Sequence, residues 1–449
     1  MSLATLLVEH PFDDDDPLVH TADVSFTKSQ IVSAVTDLAG DIERRGIAGT
    51  GVGIVADGVD ALVGMFACWM AETVYVPVNP RQPADAIRDA CERAEVSLVV
   101  RDGEILSERH DRRHADGAAF VVWTSGTTGA PKPIIHSHDA YLELIDRVLA
   151  PLRGKAGEPE RPPSPNLIPV SMALNAGIYN ALFGLRAGAP LVVMDRFTTS
   201  DFATLVERHE VRSTVLPPAA IAMLNDDTSI ADLGPLRYVR SITAPLSPFQ
   251  ARRFSERFGV FVLNGYGQAE MGEVIGWTAA DARAHPQRVG AVGRPHPGVE
   301  IAIDEPDDHG IGELLVRPPN VALDIAPERL DDVGFVRTGD LARVDDAGFV
   351  WIEGRRSDLI NRGGNKVFPD EVEEVITAGD GVVDAAVVGA PDERLGEVPV
   401  AFVVGDVSED LAALCRAHLA PYKVPVRFER VDSLPRNAAG KLLRRELAP

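Results

Sequence analysis

Short β-branched runs alternate with amphipathic stretches over residues 50–240, and this alternation restricts the fold more than any other feature of the chain. The apolar runs predict strands at 52–56, 74–78, 97–100, 118–123, 191–194 and 213–216. Helical periodicity fills the intervals, at 60–72, 83–94, 138–152, 176–187 and 201–209. Strands that alternate with helices in this way favour an α/β domain with a mainly parallel sheet.

The pattern changes in the second half of the chain. Brief strands separated by turn signals over 290–353 predict a small antiparallel, β-barrel-like part. The residues after 358 mix predicted helices (369–378 and 409–419) with predicted strands (384–389 and 398–404). We therefore predict a large N-terminal domain at 1–354, a polar hinge at 355–357 and a small α+β C-terminal domain at 358–449.

Charge and cysteine content restrict the partners of this chain. It has 67 acidic and 44 basic residues and a net charge of −23, a field that repels phosphate backbones and anionic lipid, so neither nucleic acid nor a membrane is an expected partner. Cys68, Cys91 and Cys415 lie far apart in apolar or helical surroundings and are predicted to be buried thiols. Neither a signal peptide nor a long apolar span is recognisable, so we expect a cytoplasmic protein.

Two glycine motifs resemble nucleotide loops only by letter. The run at 51–56 fits G-x-G-x-x-A, but its glycines precede a predicted strand, whereas a dinucleotide loop needs them after one. The run at 126–132 resembles a Walker loop, but Pro131 replaces its second glycine and Pro133 replaces the hydroxyl residue that would bind magnesium. Both interpretations fail.

A third loop suits phosphate binding. It reads Thr-Ser-Gly-Thr-Thr-Gly-Ala-Pro-Lys over 124–132 and directly follows the predicted strand at 118–123. Gly126 and Gly129 allow the backbone to turn its N–H groups toward an anion, and Lys132 adds a positive charge. Further donors come from four hydroxyls, those of Thr124, Ser125, Thr127 and Thr128.

At this loop the sequence resembles the adenylate-forming superfamily of acyl-CoA synthetases, adenylation domains and luciferases, whose signature reads TSGTTGxPKG. Here Pro133 replaces the final glycine of that signature. Other segments resemble the superfamily's motifs in the same order along nearly the whole chain, at 75–80, 265–270, 337–340, 354–373 and 434–441. The resemblance implies an ATP-dependent, acid-activating ligase with a mobile C-terminal domain.

The resemblance also implies the nucleotide site. It identifies the loop at 124–132 as the ATP triphosphate site, and Tyr266, followed by Gly267, as the residue that stacks on adenine. Asp340 matches the aspartate that accepts both ribose hydroxyls, and Arg355 matches an arginine that contacts the nucleotide.

Three further residues have implied roles in the reaction. Glu270 matches the carboxylate that holds Mg²⁺, and Lys441 matches the catalytic lysine that stabilises charge at the α-phosphate. Ser357 occupies the position of the hinge pivot. Ala269 replaces the family's usual threonine, as it does in members that activate aryl acids.

The acid site is expected to be small and mainly apolar. The segment 169–177 lacks the aspartate that pairs with an α-amino group, and Ile242 stands where a glycine is usual. A small aryl, alicyclic or short acyl acid is therefore expected as substrate. The predicted pocket residues are Met172, Asn175, Gly177, Ile242, Thr243 and Gly265.

The acceptor is expected to be a thiol. Gly363 and Gly364 match members in which bare backbone lines the pantetheine channel of coenzyme A. The predicted reaction therefore forms an acyl-adenylate, transfers the acyl group to coenzyme A and releases AMP and pyrophosphate. Two alternatives stay open: loading of a carrier-protein pantetheine, and a catalytically silent nucleotide-binding relative, which the departures at Pro133, Ala269 and Ile242 would permit.

Overall fold

The computed structural model describes residues 2–107, 112–124, 132–152, 163–242, 244–408, 410–436 and 442–447. Within them the helices are α1 Thr5–Val8, α2 Lys28–Glu43, α3 Gly58–Met70, α4 Ala84–Arg93, α5 His138–Leu149, α6 Asn175–Arg186, α7 Thr199–Arg208, α8 Pro218–Asp226, α9 Pro248–Phe258, α10 Ala279–Ala284, α11 Pro369–Thr377 and α12 Leu411–His418.

The strands of the first half are β1 Pro17–His20, β2 Ser25–Thr27, β3 Gly51–Val55, β4 Val74–Val78, β5 Leu98–Arg101, β6 Glu104–Ser107, β7 Ala118–Thr124, β8 Lys132–Ser137, β9 Asn166–Ile168, β10 Leu191–Val193, β11 Ser213–Val215 and β12 Tyr238–Ser241. Those of the second half are β13 Phe261–Gln268, β14 Gly272–Gly276, β15 Arg294–Pro295, β16 Glu300–Asp304, β17 Gly312–Arg317, β18 Val336–Val344, β19 Val350–Arg355, β20 Ile360–Arg362, β21 Asn365–Val367, β22 Val382–Asp392, β23 Gly396–Gly405 and β24 Arg427–Arg430.

Two mainly parallel sheets form most of the molecule. The first has the strand order β6-β5-β3-β4-β7-β8, and the second has the order β15-β14-β13-β12-β11-β9-β10-β1-β2. The central strands of both pair in parallel, and antiparallel strands lie at the edges. The predicted α/β class is confirmed. Gly51 begins β3 rather than following a strand, consistent with the rejection of the dinucleotide motif.

Helix α3 lies in the largest buried cluster, which contains residues of both sheets. Phe66 is fully buried against Trp69, with ring centroids 5.2 Å apart, and the Trp69 indole N–H donates to the carbonyl of Ala119 at 2.8 Å. Burial of each such side chain contributes about 1.5–3 kcal/mol to folding. This shared core holds the two sheets together, and so fixes the strand ends that surround the site.

Two smaller sheets form the rest of the molecule. The part predicted to be barrel-like contains the antiparallel sheet β16-β17-β18-β19. After a turn at 356–358 the chain forms a sheet ordered β21-β20-β23-β22, with β24 beside β23. α11 and α12 contribute to the core of this last unit, whose mixed α+β character agrees with the sequence.

Two predictions from composition can be compared with the structure directly. All three cysteines are buried and free, as predicted. None of the helices in the described ranges has the length and apolarity needed to cross a membrane.

Candidate active site

A cavity of about 1490 Å³ lies at the carboxyl ends of the parallel strands. Its wall includes residues from the ends of β4, β7 and β13 and from the segments that follow β9, β11 and β12. Ligands of open α/β sheets bind at such strand ends. The sequence-predicted residues on this wall are Thr124, Lys132, Asn175, Ile242, Gly267, Glu270, Arg355 and Ser357.

Seven predicted site residues lie outside the described residues, so their placement is not part of the geometry below. They are Ser125, Gly126, Thr127, Thr128, Gly129, Thr243 and Lys441.

The two ends of the predicted phosphate loop are neighbours. Thr124 ends β7 and Lys132 begins β8, and the two residues pair in the antiparallel ladder. The Thr124 hydroxyl donates to the Lys132 carbonyl at 3.2 Å. Thr124 and Lys132 therefore lie together at one sheet edge beside the cavity, and the exposed side chain of Lys132 is available to an anion there.

Asp340 is the centre of a polar cluster behind the cavity wall. It is 5% exposed and accepts hydrogen bonds from the Tyr266 hydroxyl (2.6 Å) and the Gln268 amide (2.8 Å). Arg355, its register partner on β19, places Nε 3.1 Å from Asp340 Oδ1. Burial, together with the Asp340 charge, raises the pKa of Tyr266 well above its usual value, so its hydroxyl stays a donor. Tyr266 lies behind the cavity wall, where it bonds to Asp340, and does not line the cavity.

Glu270 lines the cavity and forms an ion pair with Arg329, which sequence reasoning missed. Arg329 also donates to the Gln268 side chain and, at 3.0 Å, to the carbonyl of Arg337. Within the described ranges there is no group of three or more side chains suited to a metal ion. Mg²⁺ bound to a triphosphate needs only one or two protein carboxylates, so a single glutamate at this place fits the ion.

The predicted acid pocket is only partly on the wall. Asn175 lines the cavity and accepts a hydrogen bond from the Tyr141 hydroxyl at 2.9 Å, and Ile242 lines it nearby. Met172 is fully buried in the core instead. A Cβ at Gly177 would lie 2.3 Å from the Ser171 carbonyl oxygen, so this glycine allows α6 to pack on the preceding turn.

A buried charged group at this end of the cavity was missed from the sequence. Glu273 on β14 forms an ion pair with Arg240 on β12, and His296 Nε2 lies 3.1 Å from Glu273 Oε1. Burial alone would raise the pKa of Glu273, but Arg240 and His296 lower it to about 2. The available signal was an ionisable residue beside a β-branched residue in each of two short segments, Arg240 after Val239 and Glu273 before Val274.

Of the remaining predicted residues, Gly265 lies on β13 and does not line the cavity, and the other three lie at the predicted hinge or beyond it. Ser357 lies in the turn that follows β19, on the cavity wall. Gly363 and Gly364 form the β20–β21 turn with φ of 59° and 88°, away from the wall. Arg444 donates to Glu373 and Asp370 on α11, and this contact holds the described segment 442–447 against that helix.

Known proteins resemble this chain over nearly its full length. A model of the AMP-binding enzyme family matches residues 12–114 and 101–324, and a model of the AMP-binding enzyme C-terminal domain matches 371–441. The sulfoacetate–CoA ligase of Cupriavidus necator is 33% identical over 366 residues, which are 74% of this chain and 67% of that protein. The 2-succinylbenzoate–CoA ligase of Bacillus subtilis is 32% identical over 351 residues, which are 74% and 69% of the two chains.

A solved structure shows the same fold. The ATP-bound crystal structure of MatB from Rhodopseudomonas palustris superposes with a TM-score of 0.87 at 26% identity, and the match covers 99% of this chain and 97% of that one.

Proposed function

The chain belongs to the AMP-binding enzymes of the adenylate-forming superfamily, and we propose that it activates a small carboxylic acid with ATP and transfers the acyl group to the thiol of coenzyme A. It is an acid–thiol ligase that releases AMP and pyrophosphate. The acid is of the small aryl, alicyclic or short acyl class.

The observation that carries the proposal is that one cavity joins both halves of the predicted site. Thr124, Lys132 and Glu270 lie on its wall, and so do Asn175 and Ile242. A reaction between ATP and an acid requires both reactants in one site, with the reacting atoms held in line. The cavity provides that site.

The first half-reaction joins the acid to AMP. A carboxylate oxygen forms a bond to the α-phosphorus while the bond from that phosphorus to pyrophosphate breaks. The loop at 124–132 holds the departing phosphates, Asp340 and Arg355 hold the nucleoside, and Lys441 stabilises the charge that develops at the α-phosphate. Mg²⁺, held by Glu270 when bound, supplies charge neutralisation at the phosphates. No protein nucleophile takes part.

The second half-reaction transfers the acyl group. The sulfur of the acceptor forms a bond to the acyl carbon, and the thiol proton is released. The bond between the acyl carbon and the phosphate oxygen of AMP breaks, and AMP leaves. Residues 1–354 hold the adenylate, and residues 358–449 rotate about the hinge at 355–357, so that Lys441 withdraws and Gly363 and Gly364 approach the thiol. The position of Ser357 in a turn between two sheets supports this division.

Acid-dependent exchange of pyrophosphate into ATP tests the first step, and chromatography for a free acyl-CoA tests the second. The control is Lys441→Ala, which should retain ATP binding and lose exchange. If the acyl group appears only on a pantetheinylated carrier protein, the acceptor is wrong. If no acid supports exchange in either form, the chain is a silent relative and the proposal fails.

A further inference from the structure

The acid end of the cavity contains buried polar atoms that the proposed reaction does not use. Tyr179 on α6 and Glu273 on β14 both line the cavity and are 5% and 6% exposed. Among the described residues neither the Tyr179 hydroxyl nor Glu273 Oε2 makes a well-formed hydrogen bond. The two groups do interact with each other, and burial together with the Glu273 carboxylate raises the pKa of Tyr179. Buried polar groups are nearly always partnered, because an unpaired one costs about 1–3 kcal/mol. Two of them on one cavity wall point to a missing ligand group.

Glu273 is held in a fixed position. Its Oε1 forms the ion pair with Arg240 and the contact with His296, so Oε2 is the oxygen that remains available to a ligand. A Cβ at Gly265 would lie 3.0 Å from Oε1, and a Cβ at Gly276 would lie 2.6 Å from it. The carboxylate therefore fits a slot that exists because both neighbouring residues are glycines.

The charges around this slot favour a neutral ligand group. Glu273 is ionised, because Arg240 and His296 outweigh the effect of burial and lower its pKa to about 2, and its charge is balanced by Arg240. A second anion would face the free carboxylate oxygen. A cation would face Arg240 and also Arg147, whose guanidinium acts electrostatically on both Glu273 and Tyr179. An ionised carboxylate only accepts hydrogen bonds, whereas a phenol both donates and accepts.

We propose that Glu273 Oε2 and the Tyr179 hydroxyl bind a neutral hydrogen-bond donor on the acid substrate, at the end remote from its carboxylate. The substrate class is then an acid that carries a hydroxyl, an uncharged aryl amine or a ring N–H. The inference rests on the proposed function and refines the apolar pocket expected from the sequence. It also separates this chain from ligases for acids with a second anionic group.

The test compares matched acids in the exchange assay. Hydroxybenzoates and aminobenzoates carry the donor, toluates replace it with a methyl group of similar size, and benzene dicarboxylates replace it with an anion. We expect the best hydroxy or amino acid to exceed the matching toluate in kcat/KM by about tenfold, because the methyl group leaves both polar atoms unpaired. The dicarboxylates should react more slowly than the toluates.

Tyr179→Phe is the informative variant, because the hydroxyl that it removes makes no well-formed hydrogen bond to another described residue, and Glu273 keeps its ion pair with Arg240 in the variant. We expect a fall of about fivefold in kcat/KM for the hydroxy or amino acid and little change for the toluate. Tyr75→Phe is the matched control: the Tyr75 hydroxyl is equally buried and unpartnered within the described chain, but Tyr75 does not line the cavity. This control should leave the preference among acids unchanged.

The inference is overturned if toluates or dicarboxylates are the better substrates, or if Tyr179→Phe lowers kcat/KM for all acids equally. Either result leaves the ligase activity standing. Absence of exchange with every acid tested would refute the proposed function and this inference with it.

Discussion

Replacing Asp340 with asparagine should weaken ATP binding more than it weakens the fold. The carboxylate offers about four acceptor positions. In the structure it accepts from Tyr266 and Gln268 on Oδ2, and Arg355 lies 3.1 Å from Oδ1. One position on Oδ1 is therefore open, and a ribose with two hydroxyls must also take the place of one protein donor. The nucleotide thus gains one or two hydrogen bonds to a charged group.

The magnitude follows from that count. A hydrogen bond to a charged group contributes about 1.5–3 kcal/mol, and the amide keeps the shape but loses the charge. The new NH₂ group would also face a donor, either Arg355 at Oδ1 or Gln268 at Oδ2. We expect the Kd for ATP to rise about 10- to 150-fold. Equilibrium titration with ATP and with 2′-deoxyATP measures it, and the variant should discriminate between these nucleotides less than the wild type does.

The control is Asp345→Asn. Asp345 also accepts from an arginine, Arg288 at 2.7 Å, but Arg288 does not line the cavity, whereas Gln268 and Arg355, which contact Asp340, do. Both variants should lower thermal stability, and only Asp340→Asn should change ATP affinity. The ribose assignment is wrong if Asp340→Asn binds ATP as tightly as the wild type does. It is also wrong if the variant prefers ATP over 2′-deoxyATP as strongly as the wild type does.

Three further predictions concern the metal, the packing and the pH response. Glu270→Gln should raise the Mg²⁺ concentration needed for half-maximal exchange by roughly tenfold or more, since the ion loses a carboxylate ligand; an unchanged Mg²⁺ titration would contradict this role. Gly177→Ala should destabilise the fold by about 1–3 kcal/mol, because its Cβ would meet the Ser171 carbonyl at 2.3 Å. The control Gly40→Ala in α2 should be neutral or stabilising, because its Cβ would meet only Arg44 at 3.5 Å. Equal denaturation curves for the two variants would refute the packing argument. Burial raises the pKa of Glu373 to about 7 despite Arg444, so the folded state keeps a proton that the unfolded chain releases above its ordinary pKa of 4.5. Stability should then fall as pH rises from about 4.5 to 7, and Glu373→Gln should flatten that part of a pH–melting curve; the same slope in the variant would show that another group titrates.

Much of the nucleotide side could be predicted because its signals are local. The strand before Thr124 and the glycine-rich loop after it are adjacent in sequence, and the structure places Thr124 and Lys132 at one edge of the cavity. Asp340 and Arg355 were assigned separately, by their motifs. Their contact depends on the register of β18 with β19, which no single motif contains.

The acid side shows the opposite case. Met172 and Asn175 belong to one short segment, yet the first is buried in the core and the second lines the cavity. A pocket expected to be mainly apolar contains Glu273, whose ion-pair partner Arg240 lies on another strand, 33 residues earlier in the chain.

The sequence by itself determined the alternation of strands and helices, the position of the phosphate loop and the family, because periodicity, glycine placement and motif order are properties of neighbouring residues. Only the tertiary structure decided which buried polar atoms at the acid end make no well-formed hydrogen bond. That outcome depends on which strands lie side by side and where glycines leave room for a carboxylate, and both are set by the packing of the whole core.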